Sequence, residues 1–179
     1  MRVYVPATIA MLQRLVAEEE LNPVSRTAFA VTPALRESYA TGDDDELAEV
    51  AMTEAARASL RLIATEAGER ERPEAAEGEH PAGSVMYRRA VIAADVDEVA
   101  LRPDLDDAVV RLAAPLPLSA VASVHVDLSA AEAAVERAAE VVDAADLGDA
   151  DAEFVLGDAE DHDLAWYATQ ELPFLLDLL

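Results

Sequence analysis

The chain contains no cysteine and no lysine. Without cysteine there are no disulfides, no thiol nucleophile and no thiolate metal ligand. Every cationic side chain is an arginine, 13 in all, set against 37 aspartates and glutamates for a net charge of −24 at neutral pH. A surface of that sign repels phosphate backbones and anionic headgroups unless its cations cluster. The tightest groupings are only "RER" at 70–72 and Arg88-Arg89. No nucleic acid and no membrane is therefore expected as a partner. Aromatic residues make up 4% of the chain, too few for a base-stacking platform. No apolar run approaches the ~20 residues of a membrane-spanning helix. The opening "MRVYVPATIAMLQRL" breaks its apolar character at Thr8 and Gln13, unlike a secretory signal. The expected location is cytoplasmic.

Motifs are missing too. There is no G-x-G-x-x-G or G-x-x-x-x-G-K-[ST] loop for phosphates, no H-E-x-x-H, no G-x-S-x-G elbow. The acidic run 43–54 lacks the central glycine of a calcium loop. Neither a cofactor nor a metal is expected.

What remains is 179 residues that are 53% hydrophobic, enough to bury one core and to argue for a single domain over 1–179. The charged segment "ERERPEAAEGEHPAGS" (69–84), with two prolines and two glycines, reads as a mobile loop or insertion, and His80 within it as solvated. "RVYVPA" (2–7) alternates as a strand. Thr8 caps a helix with Ile9, Leu12, Leu15 and Val16 on one face, ending near Leu21. "TAFAVTP" (27–33) is a second strand, with Thr32 and Pro33 starting another helix. The clearest helix spans 41–68. Its leading aspartates suit the helix dipole, its inner face carries Leu47, Val50, Ala51, Ala55, Ala58 and Leu62, and Gly68 is its expected stop.

Strands are expected at 84–96 and 108–115, paired as a hairpin, and at the end of 116–127. A helix over 129–148 carries the capping-box pair Ser129 and Glu132 and stops at Gly148. A last helix from Asp158 to Glu171 ends at Pro173, and the apolar "FLLDLL" docks on this domain or a partner. The pattern favours an α+β fold, a single mixed sheet with helices packed on one face as in a ferredoxin-like sandwich; a more parallel α/β sheet is the alternative.

Several phrases carry a family resemblance: "MRVYVPAT", "TAFAVTP", "TEAARASLRL", "PLSAV" with "HVD", "DAADLGDADAEF" and "LAWYATQEL". Together they resemble an uncharacterised family of actinobacterial cytosolic proteins. The resemblance covers nearly the whole chain except 69–84. It implies a bacterial cytosolic protein with no assigned activity and transfers no catalytic residue.

Three places could carry chemistry. On a helix, "EDHDLAWYATQEL" (160–172) would extend a stripe Asp158, His162, Trp166, Gln170 beside Asp163, Tyr167 and Glu171. His162 among carboxylates could act as a general base, and Trp166, Tyr167 and Gln170 could bind a ligand. On a strand, His125 and Asp127 share a face and could form an orienting pair, with His162 completing the site if the fold brings it close. Finally, the helix starts at Thr8 and Thr32, with Arg26 and Arg36 nearby, would sit at one sheet edge if their strands ran parallel, a place for a small acidic metabolite.

The leading expectation is a non-enzymatic binding or regulatory protein acting on a protein partner or small ligand, with homo-oligomerisation through the C-terminal tail as a further option. The alternative is a small enzyme using His162, His125 and nearby carboxylates such as Asp127 and Glu171.

Overall fold

The computed structural model describes residues 1–70 and 85–179. Most of the 69–84 segment, including His80, lies outside the described residues; Glu69 and Arg70 belong to a helix.

The first strand, β1 (Arg2–Ala7), turns Val3 and Val5 to one face of the sheet and Tyr4 to the other. Thr8 caps α1 (Ile9–Glu18), its side-chain oxygen accepting from the backbone N–H of Met11. Ile9, Leu12 and Leu15 are buried as their spacing requires. The helix stops earlier than expected because Glu19 adopts a left-handed conformation, φ 58°. Glu20–Leu21 then forms β2, pairing with β7 (Leu116–Pro117) in a separate two-stranded ribbon. β3 (Thr27–Phe29) follows, then α2 (Pro33–Ser38), whose cap Thr32 accepts from the N–H of Leu35.

The long helix α3 (Asp44–Arg70) runs straight through Gly68, which is not the stop. Nothing lies within 4 Å of a Cβ built there, so neither contact nor conformation singles this glycine out. The buried side of α3 is Leu47, Ala51, Ala55, Ala56, Ser59, Leu60 and Ile63; of the expected face Val50, Ala58 and Leu62 are only partly buried, because both the sheet and α4 pack on the helix and turn its inner side. The remaining elements are β4 (Ala90–Asp95), β5 (Val99–Leu101), β6 (Val109–Leu112), β8 (Val121–Val126), α4 (Glu132–Asp146), α5 (Ala150–Glu160), β9 (Ala165–Ala168) and α6 (Leu172–Asp177).

The main sheet has the order β5-β6-β3-β1-β4-β8-β9, and every pairing in it is antiparallel. The fold is α+β; the parallel α/β alternative does not hold. Nor do 84–96 and 108–115 form a hairpin: β4 lies between β1 and β8, while β6 lies between β3 and β5. β3 and β4 run in the same direction with β1 between them, joined through α2 and α3. This split β-α-β unit is a ferredoxin-like element, but the sheet extends past it on both sides and the full ferredoxin-like order is not seen.

Helices cover both faces, not one. α1 and α6 pack together over Val3, Val5, Ile92, Val124 and Val126. α3 covers Tyr4, Phe29 and Val91 on the opposite face, and α4 and α5 pack against its second half through Leu60 and Ile63. The C-terminal apolar segment therefore docks on its own chain: Leu172 and Leu175 belong to the core beside α1.

Two helix signals mislead. Ser129–Ala131 forms a 3₁₀ turn before α4 and Ser129 makes no capping bond, while Glu132 instead pairs with Arg88 at 2.7 Å. Gly148 does end the α4 region, with φ 94°. No helix runs from 158 to 171. α5 starts at Ala150, capped by Asp149 whose carboxylate accepts from the Ala152 N–H, and ends at Glu160. Residues 165–168 are the edge strand β9, and Pro173 stands in the first turn of α6 instead of closing a helix. Among the described residues no helix is long and apolar enough to cross a membrane.

Candidate functional site

The strand assignment of β9 dismantles the expected i, i+4 stripe. Strand residues alternate faces, so Trp166 lies opposite His125 on one face while Tyr167, opposite Val124, packs against the core on the other. Trp166 is 61% exposed. Gln170 and Glu171 fall in a 3₁₀ turn and are exposed. His162 sits between α5 and β9, half-buried.

His162 and His125 nevertheless meet at one place. A cleft of about 400 Å³ opens between the first half of α3, the end of α5 and β8. α3 supplies Glu49, Thr53, Ala56, Arg57 and Leu60, residues spaced to share one helix face. The α5–β9 turn supplies Glu160, His162 and Asp163, β8 supplies His125, and Arg89 stands just before β4. Trp166, Tyr167, Gln170 and Glu171 do not line it.

Asp127 is close but committed elsewhere. It is fully buried, and Arg89 is only 4% exposed. The Arg89 Nε donates to Oδ2 of Asp127 at 2.8 Å and Nη2 to Oδ1 at 2.9 Å, while the Arg89 backbone N–H donates to Oδ2 at 2.8 Å. Nη2 also donates to the backbone carbonyl of His162 at 2.8 Å. The expected His125–Asp127 pair is thus replaced by an Arg89–Asp127 pair that pins the α5–β9 turn to the sheet. A fork of this geometry holds the guanidinium plane in one orientation.

The third nitrogen, Nη1 of Arg89, makes no hydrogen bond among the described residues. It is not sealed away either, because no buried side-chain nitrogen or oxygen among the described residues lacks a partner. Arg89 is one of the residues that line the cleft, and Nη1 is its one guanidinium nitrogen without a protein partner.

His125 Nε2 lies 3.2 Å from the Ser123 hydroxyl. Burial, with a smaller contribution from Arg2, pushes the His125 imidazole below its ordinary value, so it is a neutral ring near neutral pH. His162 makes no side-chain hydrogen bond among the described residues.

Arg57 is a cation already spent on structure. It donates to Glu153 at 2.8 Å and Asp146 at 3.0 Å, and lies 3.9 Å from Glu160. Arg61 joins at 2.7 Å from Asp146. These acids raise Arg57 above its ordinary value, led by the hydrogen bond it donates to Glu153, and Arg61 and then Arg57 hold Asp146 below the usual carboxylate range. The network ties α4 and α5 to α3. Glu49 and Asp163, by contrast, line the cleft with no side-chain hydrogen bond or ion pair among the described residues. No group of three or more histidines and carboxylates among the described residues could hold a metal ion.

The helix-start candidate comes apart. β1 and β3 are antiparallel, so the helices at Thr8 and Thr32 begin at opposite ends of the sheet. The Thr8 hydroxyl donates to Glu66 and the Thr32 hydroxyl to the carbonyl of Asp107. Arg36 pairs with Asp44, and Arg26 donates to the carbonyl of Ala113.

Sequence reasoning named both histidines but missed Arg89 and the α3 wall. Arg89 had one local signal, a charged residue directly abutting the apolar run "AVIAA". Its partner, Asp127, is 38 residues away.

This seven-stranded antiparallel α+β fold, with a histidine–arginine cleft between α3 and the α5–β9 turn, is that of a family without an assigned activity. The chain belongs to DUF6912, a family of unknown function, whose model matches residues 1–176. No curated protein and no solved structure gives a significant match.

Proposed function

We propose that the protein is a non-enzymatic binding protein whose cleft takes a small polar molecule and whose ligand-bound form acts on a further partner. One observation carries the reading: Arg89, whose guanidinium is buried and oriented by Asp127, keeps Nη1 without a protein partner and lines a cleft also lined by both described histidines. Donors fixed before the ligand arrives bind without an ordering cost. The cleft volume lies within the range of small-molecule sites. Against acid–base catalysis, neither histidine is held by a carboxylate, since Asp127 is occupied by Arg89 and His125 meets Ser123. Homo-oligomerisation through the C-terminal tail would have to rest on the exposed Phe174 and Leu178, because Leu172 and Leu175 are already buried.

The test is an NMR titration following the imidazole signals of His125 and His162 while small carboxylates, phosphates, amino acids and nucleosides are added. A His162→Ala variant assigns the signals. Saturable shifts of both rings by one ligand class, with no chemical conversion of that ligand, are expected. Turnover of the ligand that disappears in His162→Ala would instead establish the enzyme reading, which the two histidines on one cleft favour. Ligand-free behaviour against every class would remove the cleft from consideration.

A further inference from the structure

The charges around the cleft say more about the ligand, provided the cleft is a binding site as proposed. The one cation in its lining with a nitrogen free of protein partners is Arg89, through Nη1, and that residue is only 4% exposed. Arg57, the other cation in the lining, is engaged by Asp146, Glu153 and Glu160. His125 is kept neutral by its burial. Two carboxylates in the same lining, Glu49 and Asp163, have no cation. Asp163 directly follows His162, whose carbonyl Arg89 holds, so the free carboxylate and the open donor belong to one small region.

A simple anion would gain one charge-assisted hydrogen bond from Arg89 while facing uncompensated carboxylates, in a protein of net charge −24. A simple cation would find Glu49 and Asp163 but leave the Arg89 donor unmet. A molecule carrying both charges satisfies both. We infer that the cleft recognises a small zwitterion of the amino-acid type, its carboxylate on Arg89 Nη1 and its ammonium between Glu49 and Asp163. The His162 ring, the second ring nitrogen of His125 and the acceptor side of the Thr53 hydroxyl remain to meet polar atoms of the ligand's side chain, and Met52, Leu60 and Leu164 to cover its apolar part.

The experiment is isothermal titration of the whole protein with matched sets of three compounds: an α-amino or short ω-amino acid, its des-amino acid, and its decarboxylated amine. The imidazole signals of His125 and His162 are followed by NMR in parallel. Removing one charge-assisted hydrogen bond weakens binding by roughly tenfold. The zwitterion of at least one set is therefore expected to bind at least about tenfold more tightly than either of its partners. The double variant Glu49→Gln, Asp163→Asn changes only exposed side chains and keeps the fold. It should lose the preference for the zwitterion over the des-amino acid while still binding both. If des-amino acids or amines bind as tightly as the zwitterions and move the histidine signals, the cleft is a site but this assignment of its ligand is wrong. If no member of any set moves those signals, the inference falls, and the binding reading falls with it only where phosphates and nucleosides leave them unmoved as well.

Discussion

On one face of the sheet Val3, Val5, Ile92, Val124 and Val126 meet Leu12, Leu15, Leu172 and Leu175 in a core made of large aliphatic side chains. The opposite face is built differently. There α3 lays Ala51, Ala55 and Ala56 over Phe29 and Val91, so the helix can lie close, and polar atoms are set into the contact. Ser59 donates to the Ala7 carbonyl at 2.7 Å and accepts from the Ala90 N–H at 3.0 Å, closing the end of the β1–β4 ladder. Arg89 and Asp127 form a buried ion pair nearby. The first face is held by volume, the second by fit and by satisfied polar groups, and the cleft opens on the second. Close approach by small residues leaves room at the margins where larger side chains would fill it.

The largest effect should come from breaking the buried pair. Asp127→Ala leaves the Arg89 guanidinium buried without its counter-charge, a change that costs about 3–5 kcal/mol. Chemical denaturation measures it. The companion double variant Arg89→Met, Asp127→Leu should recover most of that loss, because two apolar groups of similar size remove the desolvation penalty together. An equal loss in the double variant would mean that the pair's hydrogen bonds to the Arg89 backbone N–H and the His162 carbonyl, not its charge balance, are what the fold needs.

Next comes a test of volume on the first face. Leu12 is fully buried, so Leu12→Ala should cost about 2–5 kcal/mol, the transfer of the lost methyls plus the cavity left behind. On the second face the same kind of truncation has little to remove, and the sensitive change is enlargement. Ala55 is fully buried between α3 and the sheet. Ala55→Leu should destabilise by about 1–3 kcal/mol through overpacking. Tolerance of leucine at 55 in thermal melts would show that α3 can lift away, and the contrast between the two faces would fail.

The two faces also differ in how far the sequence announced them. β1, α1 and the caps at Thr8 and Thr32 were legible because their determinants lie within a few residues: alternation, an i, i+3, i+4 stripe, a hydroxyl before the first turn. The α+β class followed from strands running together after residue 84. The β9 segment was not legible. "LAWYATQEL" lacks helix-breaking residues, and what makes 165–168 extended is the open edge of β8, 40 residues earlier, on which Trp166 sits opposite His125. The acids that read as a helix N-terminus, Asp158, Glu160 and Asp161, instead crowd a helix C-terminus. Part of the field they create there is met by Arg57, a residue of α3. The same distance rule governs the site: both histidines could be picked by residue type, but their convergence depends on the Arg89–Asp127 pair, which no local pattern reports.

The smallest effect isolates one carboxylate of the second face. Glu54, on α3, is half-buried, and burial, then the charge of Asp106, raise its carboxyl above the ordinary value. A group whose folded value is raised adds stability below its unfolded value, about 4.3, and that contribution is lost as pH rises through the raised folded value. At neutral pH the ionised Glu54 is therefore a small burden. Glu54→Gln keeps the shape and removes the charge. Its melting temperature should match that of the parent near pH 4, where Glu54 is protonated, and exceed it increasingly towards pH 7, by an amount worth about 0.5 kcal/mol or less. His125 pulls the other way. Its depressed value adds stability above about 6.5 that is lost as pH falls through its folded value. That contribution is common to both proteins and cancels in the difference. A gap that stayed constant across the range would assign the gain to helix propensity on α3, and the alanine face would carry no electrostatic strain at Glu54.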